Sequence, residues 1–511
     1  MAFLTEAANR GSISTGYDID NSIQMNSVTI SNPPRFNRTN SSAGNRKTFT
    51  VSFWHKRGYS AHSNTVGYRV LNSIRNESGK YPGLFVFDYR GDVNSTQFLS
   101  AFVDEDENNT LEAWFKSDMS FRDESAWYHI VIAYDTTQAT ASNRRAMYVN
   151  GVLQTFSESG DIPQHHQSSW NDNTLHCIGA YEYSLSDASL GGYLAEVHNI
   201  DGLKLDATAF GEFDEDSGIW KPKEYDGNYG TNGFRLQFKE TGTGQDANGL
   251  GADTSGNNHH FATVGHTAAS QATDTPTNNF CTINTPFDPY VGTPPTISEG
   301  ATLMTGGASG QQDSYGTMAL FKGKWYFEFS VLNVGGLAVY NMYGGVVKVN
   351  RLLQSSYNNA ANGHHSHDGG WGGNCYAVGV HAASGSGFTS VSGATVDTVI
   401  GVAVDMDNGK IWWSSQGTWA SSSGTPSNPA TGLLPQFTNL LTQYPGEPVV
   451  PAYNHYVHQA TTQGAFNFGG YQDHAFTDIG TNSDANGYGS FAYTPPSGYY
   501  AICTKNLAEY G

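Results

Sequence analysis

Two asparagine-glycine pairs set the tightest limit on what this chain can fold into. Asn150-Gly151 sits in RRAMYVNGVLQTF, residues 144–156, and Asn408-Gly409 sits in GVAVDMDNGKIWWSSQGTW, residues 401–419. A two-residue hairpin turn that matches strand twist needs positive φ at both central positions, and Asn-Gly accepts that most readily. Each pair is flanked by apolar and aromatic residues, so each predicts a β-hairpin.

The surrounding sequence has the matching period. In TFTVSFWHK, residues 48–56, Phe49, Val51 and Phe53 alternate with Thr50, Ser52 and Trp54. In GFRLQFK, Phe234, Leu236 and Phe238 point one way while Arg235, Gln237 and Lys239 point the other. Similar runs occur at 83–89, 126–135, 324–331 and 376–382, and turn residues separate them. Period two puts alternate side chains on opposite faces of a strand, so antiparallel sheets with one packed face are expected. Helical periodicity is nearly absent.

Composition narrows the partners. Charged residues make up 14% of the chain, against a usual level of about 25%, and glycine and aromatic residues are abundant. That balance suits a turn-rich β protein rather than disorder. The net charge is −20 and no lysine or arginine run is present, which argues against nucleic acid or an anionic membrane as partner. No apolar run approaches the ~20 residues that cross a bilayer, so membrane insertion is not expected. The N-terminus lacks a basic, apolar signal segment, which suggests synthesis in the cytosol. Cys177, Cys281, Cys375 and Cys503 are too scattered for a disulfide framework or a zinc site, and read as buried thiols.

The proline-rich stretch DTPTNNFCTINTPFDPYVGTPP, residues 274–295, reads as an extended connector. The expected organisation is an arm at 1–17, one sandwich at 18–273, the linker at 274–295, and a second sandwich at 296–511. The first half carries GYDIDNSI (16–23), SSAGNRKTFTVSFWHKRG (41–58), WYHIVIAYD (127–135), MYVNGVLQ (147–154), GGYLAEVHNIDG (191–202), WKPKEYDGNYGTNGFRLQF (220–238) and GADTSGNNHHF (251–261). In that order these resemble the concanavalin A-like, laminin G-like domains of marine bacteriophage tail and virion proteins. The second half carries GKWYFEFSV (323–331), YAVGV (376–380), DTVIGVAVDMDNGKIWW (397–413), GAFNFGG (464–470) and FAYTPPSGYYAICTKNL (491–507), and resembles a SPRY (B30.2-like) domain. The resemblances imply an all-β chain of two tandem antiparallel jelly-roll β-sandwiches, concanavalin A-like then SPRY-like, with very little helix. They also imply a non-enzymatic structural protein of the virion, present in several copies and exposed on the particle. Its partners would be other virion proteins and a host-surface carbohydrate.

Candidate chemistry follows from side-chain type. Exposed aromatic rings stack on sugars, and Trp170, Tyr181, Tyr183, Trp371 and Trp419 fall near expected loop ends. Trp412 and Trp413 are adjacent on one strand and must face opposite sides, so one is expected in the core and the other exposed. His364, His365 and His367, in the glycine-rich loop NGHHSHDGGWGGN (362–374), could meet a ligand or a metal, although nothing in that loop fixes a geometry. Laminin G-like domains often bind calcium at a loop rim, which makes Asp253, Asn257 and Asn258 candidate oxygen donors for Ca²⁺, beside the simpler reading of a turn. No other cofactor is expected. Some concanavalin-like sandwiches hydrolyse glycosides with paired carboxylates, and GEFDEDSG (211–218) is the nearest string. Its loop context reads instead as an acidic surface turn. A virion-borne polysaccharide-degrading enzyme is thus the alternative to a binding protein.

Overall fold

The computed structural model describes residues 16–25, 33–58, 71–74, 84–85, 98–105, 111–121, 123–180, 190–284, 295–306, 312–334, 342–349, 370–374, 388–389, 396–422, 424–438, 440–442, 445–455, 462–471 and 480–511. The chain is nearly all β, and among the described residues a short α-helix, Thr504–Tyr510, stands at the C-terminal end. It divides into two compact units, Ser14–Thr277 and Asn278–Gly511.

The first unit is built on an eight-stranded sheet. The central strand Thr48–Lys56 lies between Trp127–Asp135 and Gly192–Asp201, and the edge on one side is the two-residue strand Val152–Leu153. A five-stranded sheet containing Arg35–Thr39 and Leu175–Ile178 packs against it. Phe49, Val51 and Phe53 meet Phe36 and Ile178 in the shared core, as the period-two pattern requires. Asn150 (φ 46°) and Gly151 (φ 79°) close the predicted two-residue hairpin, with Val149 opposite Val152. Glycine is required at 151 twice over, because a Cβ there would lie 2.3 Å from the Trp220 ring.

The second unit repeats the plan. Its eight-stranded sheet centres on Lys324–Val334, flanked by Val399–Asp405 and Thr462–Asn467, and a four-stranded sheet with Val449–His455 and Met342–Lys348 packs on it. Phe327, Phe329, Val402, Val404 and Trp413 face Val346, Val449 and Tyr453 in the core. The second hairpin exists, but its turn differs from the prediction. Asp405 pairs with Lys410, which leaves a four-residue loop in which Gly409 alone has positive φ (66°). The Asp405 carboxylate accepts from both Asn408 N (2.9 Å) and Asn408 Nδ2 (2.9 Å), and so holds Asn408 out of the two-residue geometry.

Two further expectations need correction. Sheets with one packed face were expected, yet strands Thr48–Lys56, Trp127–Asp135 and Gly192–Asp201 are buried almost throughout. The outer face of the first sheet is covered by segment 203–230: Trp220 and Phe210 lie over His129, and Tyr225 and Tyr229 over His198. In the second unit the C-terminal residues do the same, with Phe491 and Tyr499 over Tyr326 and Trp412. The stretch 274–284 is also no free connector. Residues 274–277 close the first unit, while Cys281 and Ile283 enter the second core. Of the five prolines that suggested a linker only Pro276 falls there, and residues 285–294 lie outside the described set.

Candidate functional site

Loops at one end of the first sandwich form a polar rim, organised by a buried carboxylate. Asp201 ends the strand Gly192–Asp201 and accepts from Asn45 N (2.7 Å), Asn232 N (2.8 Å) and Asn171 Nδ2 (3.2 Å). Burial raises its pKa. Asn171 accepts in turn from Asn199 Nδ2 (2.7 Å), and Asn257 Nδ2 ties the loop 253–260 to Gly230 O and Gly233 O, each at 2.9 Å. Three donors on one carboxylate hold loops 40–47, 168–174 and 226–233 together, and Asn257 adds the fourth loop. What faces solvent is Ser41, Ser42, Asn45, Asn173, Asn228, Asn257 and Asn258. The nearby cation, Arg46, is paired with Asp172 (3.0 Å). Chemically the rim offers fixed amides and hydroxyls with little net charge, a match for a neutral polyhydroxylated ligand.

Trp170 belongs to this rim but not to its surface. It is wholly buried, its Nε1 donates to Asn199 Oδ1 (2.9 Å), and its ring meets His176 edge-on, so the expected sugar-stacking role is corrected. A tryptophan whose ring faces the core and whose N–H finds a buried amide is a structural anchor. Asp253 is likewise spoken for. Its carboxylate accepts from Arg235 N, Ser255 N, Ser255 Oγ and His259 N at 2.8–2.9 Å, the pattern of a side chain capping its own turn. With both oxygens of Asp253 so engaged, the one carboxylate of the trio Asp253, Asn257 and Asn258 is occupied by its own turn rather than offered to a calcium ion. Among the described residues no group of three or more His, Cys, Asp or Glu side chains could hold a metal.

In the second unit Trp412 and Trp413 do face opposite sides, but both are buried. Trp413 lies in the main core and donates to Gly344 O (3.0 Å). Trp412 lies under Tyr499 and donates to Leu433 O (2.9 Å), so the expectation that one ring would be exposed is corrected. The C-terminal cover that buries it is fastened by Glu328, whose carboxylate accepts from Ala492 N, Tyr493 N, Tyr326 Oη and Asn467 Nδ2. Trp419, on the edge strand Thr418–Trp419, stays half-buried. Trp371 falls in the strand Gly370–Asn374, opposite Val346, so part of the expected loop 362–374 is sheet. Tyr181, Tyr183, His364, His365 and His367 lie outside the described residues. None of these candidates is brought together with another into a pocket among the described residues.

Sequence reasoning missed the buried polar layer on the first sheet's outer face. Glu196 (φ 47°) sits at a bulge in its strand and accepts from His198 Nε2 (3.1 Å), Arg235 Nε (3.0 Å), Gln237 Nε2 (3.0 Å) and Tyr17 Oη (2.6 Å). These partners outweigh desolvation and hold its pKa down to about 2. Tyr17, expected in the arm, is therefore part of the first unit. Beside this cluster Ser52 Oγ lies 2.8 Å from His129 Nε2, which looks like a nucleophile and its base. It is not one. Trp220 Nε1, which can only donate, points at His129 Nδ1 (3.0 Å), so the ring proton sits on Nε2 and donates to Ser52. The signal was present as polar residues at spacing two, Glu196 with His198 and Arg235 with Gln237, and only the second pair was read, as lying on the unpacked face.

The acidic string 211–218 forms the hairpin of Gly211–Phe213 with Trp220–Pro222. Glu212 and Asp214 both reach Lys221 Nζ, at 3.4 and 3.2 Å. Asp214 also takes Ser217 N and Oγ, bonds that lead in lowering its pKa to about 2.

Residues 27–204 match a laminin G-type family described as the concanavalin A-like lectin/glucanases superfamily. No curated protein matches the chain. Among solved structures the chain is similar to a native heptameric SAP-like pentraxin from Limulus polyphemus, at 16% identity over 37% of this chain and 80% of that one, with a TM-score of 0.29. It is also similar to the SPRY domain of human HERC1, at 14% identity over 32% of this chain and 87% of that one, with a TM-score of 0.24.

Proposed function

We propose that this chain is a non-enzymatic structural protein of a bacteriophage virion, on tail or capsid, that binds a host-surface carbohydrate through the first sandwich. Its other partners are virion proteins, and several copies act together on the particle. The observation that carries the binding reading is the rim of fixed amides and hydroxyls around Asp201. The match of residues 27–204 to a superfamily that includes lectins supports it. The virion assignment rests on the resemblance of the first half to the laminin G-like domains of phage tail and virion proteins. In this reading the residues before Tyr17 dock the chain to its neighbours and the segment before strand Gly370–Asn374 faces the host.

The carboxylate pair at 212 and 214 weighs against hydrolysis. A retaining or inverting glycosidase needs one carboxyl that stays protonated until it donates, and Asp214 is held ionised while sharing Lys221 with Glu212. The test has two arms on the full chain. A glycan array should show binding that weakens when Asn228 and Asn257 are replaced by alanine, and no polysaccharide should release new reducing ends. Absence of any glycan bound by the intact chain would refute the binding reading. Reducing ends lost in Glu212→Gln would refute the non-enzymatic one. An antibody against the chain that fails to label intact particles would remove the virion assignment.

A further inference from the structure

At the opposite end of strand Thr48–Lys56 from Asp201's partners lies a pair the function above does not use. The Lys56 Nζ reaches Asp274 Oδ2 at 2.6 Å, and the two side chains are 0% and 1% exposed. Strand register explains the burial. Lys56 stands directly opposite Trp127 on one neighbouring strand and Tyr193 on the other. The two rings, with centroids 6.2 Å apart, line a slot for the lysine stem, and Nζ is 5.8 Å from the Tyr193 ring centre. Trp127 Nε1 donates to the other aspartate oxygen, Oδ1, at 3.0 Å. The Asp274 backbone is itself fixed, since Ser22 Oγ donates to its carbonyl (2.6 Å).

As an ion pair this arrangement is expensive, because two charges have left water for an aromatic slot. As an amide it would carry no charge. We propose that Lys56 and Asp274 condense into an intramolecular amide bond, with Trp127 as the catalytic donor. Along the 2.6 Å contact a proton passes from Nζ to Oδ2, giving an amine and a carboxylic acid. The amine lone pair attacks Cγ, and charge developing on Oδ1 is held by the Trp127 N–H. A second proton passes from nitrogen to Oδ2, the Cγ–Oδ2 bond breaks, and Oδ2 leaves as water. One C–N bond forms, one C–O bond breaks, and no oxidant or other reactant is needed. Oδ1 remains as the amide oxygen, still bonded to Trp127. A folded sheet holds the two groups in contact at 2.6 Å, and such fixed proximity is where intramolecular reactions gain most.

The location gives the bond a use. Asp274 lies three residues before Thr277, where the chain leaves the first unit, and the strand that carries Lys56 is central in its sheet. A cross-link there would carry tension from residue 278 straight into that strand. Without it, the load would fall on the short pairing of Ser22–Ile23 with Gln271–Ala272.

Intact mass spectrometry of the denatured full chain decides the matter. The expected mass is that of the sequence less one water. A tryptic digest should leave Lys56 uncleaved and join its peptide to the one containing Asp274. Lys56→Arg should restore the full sequence mass, and Trp127→Phe should slow conversion severalfold in freshly refolded protein. The wild-type measurement stands even if a variant does not fold. A mass equal to the sequence with cleavage after Lys56, or a water deficit that maps to an imide elsewhere, overturns the proposal.

Discussion

Acid should destabilise the first unit, because four buried histidines lie within it. His55, His129, His176 and His266 are all buried in Ser14–Thr277, and desolvation lowers their pKa values to about 4, 3, 4 and 3. Hydrogen bonding requires the neutral ring independently. His129 Nδ1 accepts from Trp220, His176 Nε2 accepts from Asn171 N, and His266 stacks on Phe36 with neither ring nitrogen hydrogen-bonded. A histidine with a depressed folded pKa binds fewer protons folded than unfolded. Its stabilisation is therefore intact above the ordinary value of about 6.5 and falls as pH drops below it, levelling off only near the folded pKa.

Between neutral pH and about pH 5 each such histidine withdraws about 2 kcal/mol, so four withdraw about 8 kcal/mol. Two buried carboxyls oppose them, Asp201, which burial raises, and more strongly Glu124. Burial raises the Glu124 carboxyl to about 7 despite its pairing with Arg57, and a raised acid gains stability as pH falls, here about 2.5 kcal/mol. The net loss is roughly 5 kcal/mol, comparable to the whole stability of many domains. In the second unit Glu328 is raised to about 7 by burial, so that unit gains about 2.5 kcal/mol over the same interval. Calorimetry of the full chain should show a first-unit transition that falls by about 10–20 °C on acidification. Gly409→Val, which strains only the second unit, identifies which peak is which. A first-unit transition that holds or rises at about pH 5 would refute the argument.

Three further outcomes test particular contacts. Glu196→Gln removes the charge that Arg235 and His198 face, and should lower first-unit stability by about 3–5 kcal/mol in a urea titration, leaving the second unit unchanged. Gly409→Val places a β-branched residue at φ 66° with its Cβ 2.9 Å from Leu441 Cγ, and should cost the second unit about 2–3 kcal/mol. Trp170→Phe keeps the ring in the core but loses the bond to Asn199, so about 1 kcal/mol of first-unit stability should go while glycan-array binding persists.

The fold was legible where one residue type allows few conformations. Asn150-Gly151 specified both strands of its hairpin and their register, because positive φ at two successive positions leaves almost no other turn. Asn408-Gly409 specified the hairpin but not the turn. The deciding group was Asp405, whose carboxylate captures Asn408 from three residues away. Alternation likewise placed Phe49, Val51 and Phe53 in the core correctly. Period two states which residues share a face, and it says nothing about what covers the second face.

That gap accounts for the misplaced site residues. One of Trp412 and Trp413 was expected in the open because adjacent strand residues face opposite sides, and the inference fails once segment 480–511 lies over Trp412. Arg235 and Gln237 read as solvent-facing for the same reason, and Glu196 receives both of them indoors. A covering layer of loop has no periodicity to find. What it leaves in the sequence is the chemistry it must satisfy: charged residues at spacing two on strands otherwise rich in aromatics. Glu196 with His198, Lys56 two residues beyond Trp54, and Glu328 two residues beyond Tyr326 share that pattern, and each is buried against a partner from a distant segment, Tyr17, Asp274 and Ala492 respectively. A lone charge on a β-rich, weakly charged chain therefore marks where a loop closes over a sheet. In this protein those closures hold the ends of the units, Tyr17 and Asp274 for the first and residues 491–493 for the second, so the same few buried charges set the boundaries of the sandwiches.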